Sequence, residues 1–303
     1  GRLNTITLIP GQVFHSHRGT IAHDDLIGLP DGSVIDNSSG ISYLALRPLL
    51  TDFVMSMPRG AAIIYPKDAA QILGHADIFP GARVVEAGVG SGALSMWLLR
   101  AIGDHGELLS FERREEFAQI ARGNVSAYFG AEPENWSITL GDLTDALPQR
   151  VEAGSVDRVV LDMLAPWECL EAVANALTPG GVVLCYIATA TQLSRVAEAI
   201  RNTASFTEPV SSETMVRGWH VEGLSVRPDH RMVAHTGFLI TARRLADGTE
   251  RFIKAKRGSK TEFTDEDVEL WTPGAVGDRT ASDKKLRKAA REAQSLAERS
   301  ARR

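Results

Sequence analysis

The sequence predicts an α/β protein built on a doubly wound, Rossmann-like parallel sheet that follows a small β-rich module. Three observations support this prediction. Short apolar segments alternate with helix-forming segments between residues 63 and 244. A glycine-rich turn directly follows the first of these apolar segments. Acidic residues lie at or near the ends of this apolar segment and three later ones. The carboxyl ends of parallel strands are where such sheets bind ligands.

Length and composition fit a globular protein with one full α/β domain. The chain has 303 residues, of which 44% are hydrophobic, and a formal net charge of −5. It has no run of eighteen apolar residues and no signal-peptide pattern, so we expect no membrane partner and a cytoplasmic location. Cys169 and Cys185 lack metal-ligand spacing, so neither a disulfide nor a zinc site is expected.

Residues 1–62 are predicted to form the N-terminal β-rich module. Its β-prone segments are residues 4–9, 33–35 and 41–47, separated by turns rich in Pro, Gly, Asn and Ser. The module also contains His15, His17 and His23. Loop histidines without a further ligand are more often hydrogen-bonded or surface groups, so we assign no metal.

The loop from Gly88 to Gly92 predicts a cofactor site. Residues 83–87 form an apolar strand, and a helix is predicted over residues 93–100. The glycines are spaced G-x-G-x-G, unlike the dinucleotide fingerprint G-x-G-x-x-G. Glu86 would repel a diphosphate but suits the ammonium and sulfonium of S-adenosylmethionine (SAM). An ordinary strand-to-helix turn without a ligand is the alternative.

Two further strands end in acids. Residues 108–112 end in Glu112, where a carboxylate can accept hydrogen bonds from ribose hydroxyls. Residues 137–142 end in Asp142, from which an acid or its neighbouring backbone can bind an adenine amino group. Each acid alone is more often a solvated turn residue, but their shared position favours a ligand site.

The fourth strand, residues 156–162, ends in Asp162 and leads to Pro166 and Trp167. A carboxylate, a rigid proline and a flat aromatic favour a planar base as substrate. DNA amino-methylating enzymes carry a related Asp/Asn-Pro-Pro-aromatic sequence, but here the proline lies four residues after the acid. Methylation at C5 of a pyrimidine requires a cysteine nucleophile, and neither Cys169 nor Cys185 lies in a suitable loop.

The remaining segments complete the sheet and add a tail. A strand is predicted over residues 181–187 and a helix over 191–201, after which residues 219–226 and 236–243 are expected to close the sheet as a hairpin. Residues 245–303 are polar and predicted to be partly disordered. The basic stretch 284–303 is either a solvated tail or a nucleic-acid-binding arm.

Residues 8–244 resemble the bacterial tRNA (adenine-58-N1)-methyltransferase family, TrmI, and especially its actinobacterial members. The resemblance is carried by residues 64–68 (IYPKD), 86–92 (EAGVGSG) and 162–168 (DMLAPWE), by Glu112 and Asp142, and by His235-Thr236 before Phe238. It implies a class I SAM-dependent methyltransferase domain over residues 63–244. It also implies a homotetramer that methylates N1 of adenine 58 in the tRNA T-loop and leaves S-adenosylhomocysteine.

The resemblance also implies site residues. Asp162 would be the catalytic acid residue and would also lie at the cofactor. The other cofactor residues would be Ile64, Glu86, Gly88, Gly90, Ser91, Gly92, Ala93, Leu94, Glu112, Asp142 and Leu143. Those facing the substrate would be Tyr65, Pro166, Trp167 and His235. Two alternatives stay open: a SAM-dependent methyltransferase for a protein carboxylate or small molecule, and a catalytically silent RNA-binding subunit.

Overall fold

The computed structural model describes residues 3–250 and 282–301. The α-helices are α1 (Leu50–Ser56), α2 (Pro66–His75), α3 (Ala93–Ile102), α4 (Glu115–Phe129), α5 (Leu143–Arg150), α6 (Leu170–Ala176), α7 (Ala190–Asn202) and α8 (Asp283–Ala301). The strands are β1 (Val13–Ser16), β2 (Gly19–Ala22), β3 (Ser33–Asp36), β4 (Ser42–Ala45), β5 (Arg83–Ala87), β6 (Glu107–Glu112), β7 (Trp136–Leu140), β8 (Val156–Leu161), β9 (Leu177–Ile187), β10 (Val210–Ser212), β11 (Val216–Glu222), β12 (Ser225–Val233) and β13 (Phe238–Arg243).

The central sheet has seven strands in the spatial order β10-β13-β9-β8-β5-β6-β7. Strands β5 to β9 are parallel, whereas β13 pairs antiparallel with β9 and β10 pairs antiparallel with β13. The interior strands are nearly continuous apolar runs because helices cover both faces. This confirms the predicted fold class and the five parallel strands.

Two hydrophobic clusters lie on opposite faces of this sheet. One contains residues of α1, α2 and α3, including Ile72, Met96 and Ile102. The other contains residues of α5, α6 and α7, including Leu147, Val173 and Ile200. Alternate side chains of each strand point to opposite faces, so β5 contributes Val84 to the first cluster and Val85 to the second.

The N-terminal module consists of two hairpins, β1–β2 and β3–β4. The prediction of a strand at residues 4–9 was wrong, because this segment has no strand pairing and is held instead by His23, whose Nδ1 accepts from the Ile9 N–H at 3.0 Å. Asn37 joins the hairpins by donating to the Arg18 carbonyl at 2.7 Å. Helix α1, which was not predicted, begins within the same module at Leu50.

The predicted closing hairpin was wrong in one of its two strands. Residues 236–243 do contain β13, but residues 219–226 span the end of β11, a turn at Gly223 and the start of β12. Within the part of the chain that the structure describes, β11 and β12 pair only with each other, in a separate two-stranded sheet. Both faces of this hairpin are largely exposed. On the side away from β9, β13 pairs with the three-residue strand β10, which is too short to give a sequence pattern.

The end of the chain differs from the expected polar tail. Helix α8 packs along α4, and its Leu286, Ala289 and Ala293 are buried together with Phe117 and Ile120 of α4. Gly123 of α4 permits the close approach, because a Cβ at this position would lie 2.7 Å from the Ala293 carbonyl carbon. The apolar spacing at 286, 289 and 293 is one helical face. The partial disorder predicted for residues 245–303 is not tested at residues 251–281, which lie outside the described residues.

Candidate active site

The turn after β5 lies directly against the end of β8. Gly88 has φ +86°, and a Cβ there would lie 1.8 Å from the Asp162 carbonyl oxygen. The Gly88 N–H donates to the Phe111 carbonyl at 3.0 Å, and the Asp162 N–H donates to the Ala87 carbonyl at 2.9 Å. Only glycine fits this left-handed, close-packed position. The turn therefore brings the ends of β5, β6 and β8 together.

Ser91 and Gly92 fix the other end of the loop. Gly92 has φ +80° and a virtual Cβ only 3.2 Å from Ala121 and Val125, so it allows α3 to pack beside α4. The buried Ser91 Oγ accepts from the Gly60 N–H at 3.3 Å. The Asn124 side chain donates to the Ser91 carbonyl at 2.9 Å. The loop is thus tied to the segment that precedes α2.

A pocket lies between this loop and the segment before α2. Seven of the predicted cofactor residues line it, namely Ile64, Gly88, Gly90, Ser91, Ala93, Leu94 and Asp162. Ala62, Ile63 and Val89 line it too and were not predicted. The apolar run at residues 61–64 could have indicated the first two, but its distance from the loop in the sequence concealed their contact.

Glu86 lies fully buried beneath the loop. Its Oε2 accepts from the Ser95 and Ser110 hydroxyls, each at 2.7 Å, and its Oε1 has no hydrogen-bond partner among the described residues. Burial raises the pKa of Glu86 to about 7, although the bonds from Ser110 and Ser95 act in the opposite direction. A buried carboxylate oxygen without a partner is costly unless a donor or cation is supplied.

Glu112 ends β6 beside the same loop. Its Oε2 accepts from the Gly90 N–H and its Oε1 from the Arg114 N–H, both at 3.1 Å. Its carboxylate is therefore held in one orientation at the carboxyl edge of the sheet. That is the position from which the sequence assigned it to ribose hydroxyls.

Asp142 and Leu143 lie farther along this edge. Asp142 caps α5, because its Oδ1 accepts from the Thr144 N–H at 3.0 Å, and its Oδ2 pairs with Arg113. It lines a second pocket with residues 139–141 and one face of α5, whereas the Leu143 side chain is buried in the core. The cap leaves Leu143 at the first position of α5, where a helix has backbone N–H groups without intrahelical partners.

Asp162 follows β8 and is half-buried. Burial raises the pKa of Asp162 to about 7, and the negative charge of Glu112 adds to the shift. The same two carboxylates also raise the pKa of Glu86 by weaker repulsion. Three acids thus share one partly dehydrated edge, which favours a ligand that carries positive charge.

A polar network that the sequence did not indicate lies beside Tyr65. Asp68 is buried, pairs with Lys67 at 2.6 Å and accepts from the Thr236 hydroxyl at 2.5 Å. The Tyr186 hydroxyl donates to the Thr236 carbonyl at 2.8 Å, and burial raises the pKa of Tyr186 to about 12. This network joins the start of α2 to the loop before β13. Tyr65 itself is exposed at the N-cap of α2.

The other residues predicted to face the substrate, Pro166, Trp167 and His235, differ in how exposed they are. Pro166 is buried in a short 3₁₀ helix after Asp162. The Arg195 guanidinium covers the Trp167 ring at 4.1 Å, so one face of that ring is occupied, and Tyr65 is the more exposed aromatic. His235 is exposed, and its Nδ1 lies 2.8 Å from Glu213, which raises the pKa of His235.

Three further features bear on function in the part of the chain that the structure describes: metal sites, membrane-spanning helices and reactive cysteines. Within residues 3–250 and 282–301, no group of three or more His, Cys, Asp and Glu side chains could hold a metal ion. No helix in these same ranges is long and apolar enough to cross a membrane. Both cysteines are buried free thiols, and burial raises the pKa of Cys169 to about 12 and that of Cys185 further still.

Comparison with known proteins gives consistent results. Residues 43–268 match the family model described as tRNA methyltransferase complex GCD14 subunit, and residues 1–35 match the TrmI-like N-terminal model. The tRNA (adenine(58)-N(1))-methyltransferase TrmI of Thermus thermophilus is 35% identical over 80% of this chain and 93% of its own length.

Two solved structures extend the comparison. TrmI from Aquifex aeolicus, a tRNA (m1A58) methyltransferase, superposes with a TM-score of 0.69 at 31% identity, over 79% of this chain and 91% of its own. A SAM-dependent O-methyltransferase from Thermotoga maritima gives a TM-score of 0.74 at 30% identity, over 80% of this chain and 89% of its own.

The parallel sheet with its antiparallel edge and the glycine loop over Glu86 define a Rossmann-like methyltransferase fold of the SAM-dependent class. Within that class, the chain belongs to the tRNA (adenine(58)-N(1))-methyltransferase family, TrmI. The resemblance inferred from the sequence is confirmed.

Proposed function

We propose that this protein transfers a methyl group from SAM to N1 of adenine 58 in the T-loop of tRNA. The observation that carries the proposal is the half-buried residue Asp162, which lines the glycine-loop pocket and has a raised carboxyl pKa, in a chain of the TrmI family. The Thermus and Aquifex relatives carry this activity in their names.

The residues of the pocket fit SAM. The unpartnered Glu86 Oε1 and the neighbouring carboxylates of Asp162 and Glu112 suit a cationic ligand. Gly90 lines the pocket without a side chain, so the backbone can approach a ligand there, and the Glu112 carboxylate, held by two backbone N–H groups, would accept from ribose hydroxyls. Asp142 and the Leu143 N–H would hold the adenine. When bound, SAM supplies an electrophilic methyl group on its sulfonium.

Asp162 would act on the substrate adenine. Methylation at N1 leaves a cationic base until N6 loses a proton. The Asp162 carboxylate would accept a hydrogen bond from the N6 amino group, hold the N1 lone pair toward the methyl group and stabilise the developing charge. With a pKa of about 7, it can also accept the N6 proton near neutral pH. The remaining acceleration would come from positioning.

The substrate nucleotide must leave its folded surroundings to reach this carboxylate. N1 lies on the Watson–Crick edge, which is engaged within the folded T-loop, so the base would be extruded into the pocket. We propose that the exposed Tyr65 ring forms the aromatic lip of the pocket. Pro166 would shape the wall beside Asp162, and His235 would meet the RNA at the outer rim.

We further propose that the active protein is a homotetramer that works in the cytoplasm. The β11–β12 hairpin supports self-association, because it exposes Trp219, Val221 and Leu224, which a second copy could cover. The cytoplasmic location is supported by the relatives, which are named as tRNA methyltransferases. The proposed domain boundaries, 1–62, 63–244 and 245–303, would place the catalytic residues within the middle segment.

The rival function is methyl transfer to a protein carboxylate or a small molecule, a reading favoured by the name of the Thermotoga O-methyltransferase. Methyl transfer from labelled SAM to an unmodified elongator tRNA, and to the same tRNA with adenine 58 replaced, separates the two. We expect 1-methyladenosine only with the first tRNA. Incorporation that ignores added tRNA would support the rival, and failure to bind SAM would support a noncatalytic RNA-binding subunit.

A further inference from the structure

Helix α8 has two chemically distinct faces. Leu286, Ala289 and Ala293 are buried against α4, whereas the basic side chains are exposed, namely Lys284, Lys285, Arg287, Lys288, Arg291 and Arg299. At about 100° per residue, Lys284 and Arg291 fall roughly opposite the buried stripe. The docked apolar face therefore orients the basic face outward.

The basic end of α8 lies at the catalytic edge of the sheet. Helix α4 starts just after Glu112, so its first turns lie at the carboxyl edge. Leu286 packs with Phe117 and Ile120 near the start of α4, and Ala293 packs on Gly123 farther along it. The two helices consequently run in the same direction. The first turns of α8, which carry Lys284, Lys285, Arg287 and Lys288, share the edge that holds Asp162.

The excess of basic residues in α8 is opposite in sign to the net charge of the whole protein. The protein as a whole has a formal net charge of −5, whereas the described residues of α8 include six basic and three acidic side chains. Of those acids, Glu292 lies 3.7 Å from Lys288. The helix lies beyond the match to the family model, which ends at residue 268.

We propose that the outward basic face of α8 binds the phosphate backbone of the tRNA substrate as its adenine enters the pocket. The inference rests on the proposed function for the identity of the RNA. Lysine and arginine on a rigid helix bind phosphates without reading sequence, and such contacts release counterions. They add affinity and salt dependence, while Asp162 and the pocket decide which base reacts.

The test compares two double variants of the full chain. Lys284→Gln/Arg291→Gln removes two outward charges and retains good helix formers. Arg100→Gln/Arg243→Gln, the control, removes two exposed charges from the ends of α3 and β13, at the opposite edge of the sheet. Binding of fluorescently labelled unmodified tRNA is measured by anisotropy without SAM, between about 50 and 200 mM KCl, alongside SAM affinity and thermal stability.

We expect the α8 variant to bind tRNA more weakly and its logarithmic salt slope to fall by about two. Its defect should then be roughly tenfold larger at about 50 mM than at about 200 mM salt. The control variant, SAM affinity and melting temperature should match wild type, and Lys284→Arg/Arg291→Lys should retain tRNA affinity. An unchanged slope and affinity in the α8 variant would overturn the inference. Absence of methyl transfer by the wild type would overturn the proposed function alone, since binding is read separately.

Discussion

The site is organised by three carboxylates whose surroundings differ. Glu86 is enclosed and bonded to two serines, Glu112 is held by two backbone N–H groups, and Asp162 faces the pocket. Burial acts on Glu86 and Asp162 in the same direction, so both have a raised pKa. We therefore propose that these carboxyl groups have different roles: Glu86 balances the cofactor charge and Asp162 acts on the substrate.

Asp162→Asn should keep SAM binding and reduce methyl transfer to tRNA by about a hundredfold or more, because the amide cannot accept the N6 proton. The measurement is single-turnover methyl transfer together with SAM binding by calorimetry. Glu168→Gln, which alters a nearby exposed acid, is the control and should remain active.

The wild-type rate should also depend on pH. Since the pKa of Asp162 is about 7, the rate should rise as pH increases toward 7 and level off above it. Near wild-type turnover in Asp162→Asn would remove Asp162 from the mechanism.

SAM binding should release protons in the pH window just below about 7. The pKa of Glu86 is raised from 4.5 to about 7 in the folded protein, and a bound cation favours the ionised form. Affinity should therefore increase as pH rises through this window. Without ligand the sign is opposite: the protonated acid stabilises the fold at low pH, and that contribution is lost as pH rises through about 7.

Calorimetry near pH 6, inside that window, in buffers of different ionisation enthalpy measures the proton release. Glu86→Gln should reduce the number of protons released on SAM binding. Asp162→Asn shows how much of the release comes from Asp162, the second acid with a raised pKa. Equal heats in all buffers for the wild type would contradict the linkage.

At the scale of elements, α8 supports the segment that lines the pocket. A Cβ on Gly60 would lie 3.0 Å from Leu286 Cδ2, and Ala61 packs into the same cluster as α8. Gly60 in turn donates to Ser91 in the glycine loop, and Ala62 lines the pocket. A helix outside the family match is thus joined through one short segment to the proposed cofactor site.

Leu286→Ala should weaken SAM binding as well as lower stability by about 2–5 kcal/mol, because the cavity loosens the support of Gly60 and Ala61. Phe206→Leu is the matched control: Phe206 is fully buried in the cluster on the other face of the sheet. SAM affinity and melting temperature are measured for both. If the two variants lose SAM affinity in equal measure, the effect of Leu286 is one of global stability.

At the scale of the whole molecule, the β11–β12 hairpin is an element whose exposed apolar side chains are not covered by the described part of the same chain. Among residues 3–250 and 282–301 its strands pair only with each other, and it exposes Trp219, Val221 and Leu224. Exposed apolar side chains concentrated on one element favour association with another surface. This agrees with the proposed homotetramer. The strand at the edge of the central sheet, β10, is only three residues long.

Trp219→Ser/Val221→Ser should therefore reduce the molecular mass measured by light scattering during size-exclusion chromatography. Val34→Ser/Leu44→Ser is a matched control, because these exposed apolar residues lie opposite each other in the β3–β4 hairpin. We expect the control to keep the wild-type mass. A loss of mass only in the control would place the interface on the N-terminal module.

Sequence patterns were sufficient to predict the parallel sheet, the glycine loop and the positions of Glu86, Glu112 and Asp162. Local patterns carry this information: apolar runs define buried strands, and the acids that end them lie at one edge whatever surrounds them. The same patterns gave the family resemblance. The roles assigned to individual site residues stay predictions, because geometry gives their positions and not their chemistry.

Tertiary structure alone decided the contacts between distant segments. The sequence could not show that residues 61–63 reach Gly90, that Thr236 meets Asp68, or that Arg195 covers Trp167. It also placed residues 219–226 in the sheet and treated the end of the chain as a tail. Pairing of short strands and docking of an amphipathic helix depend on the surface available elsewhere in the fold, which local propensity does not encode.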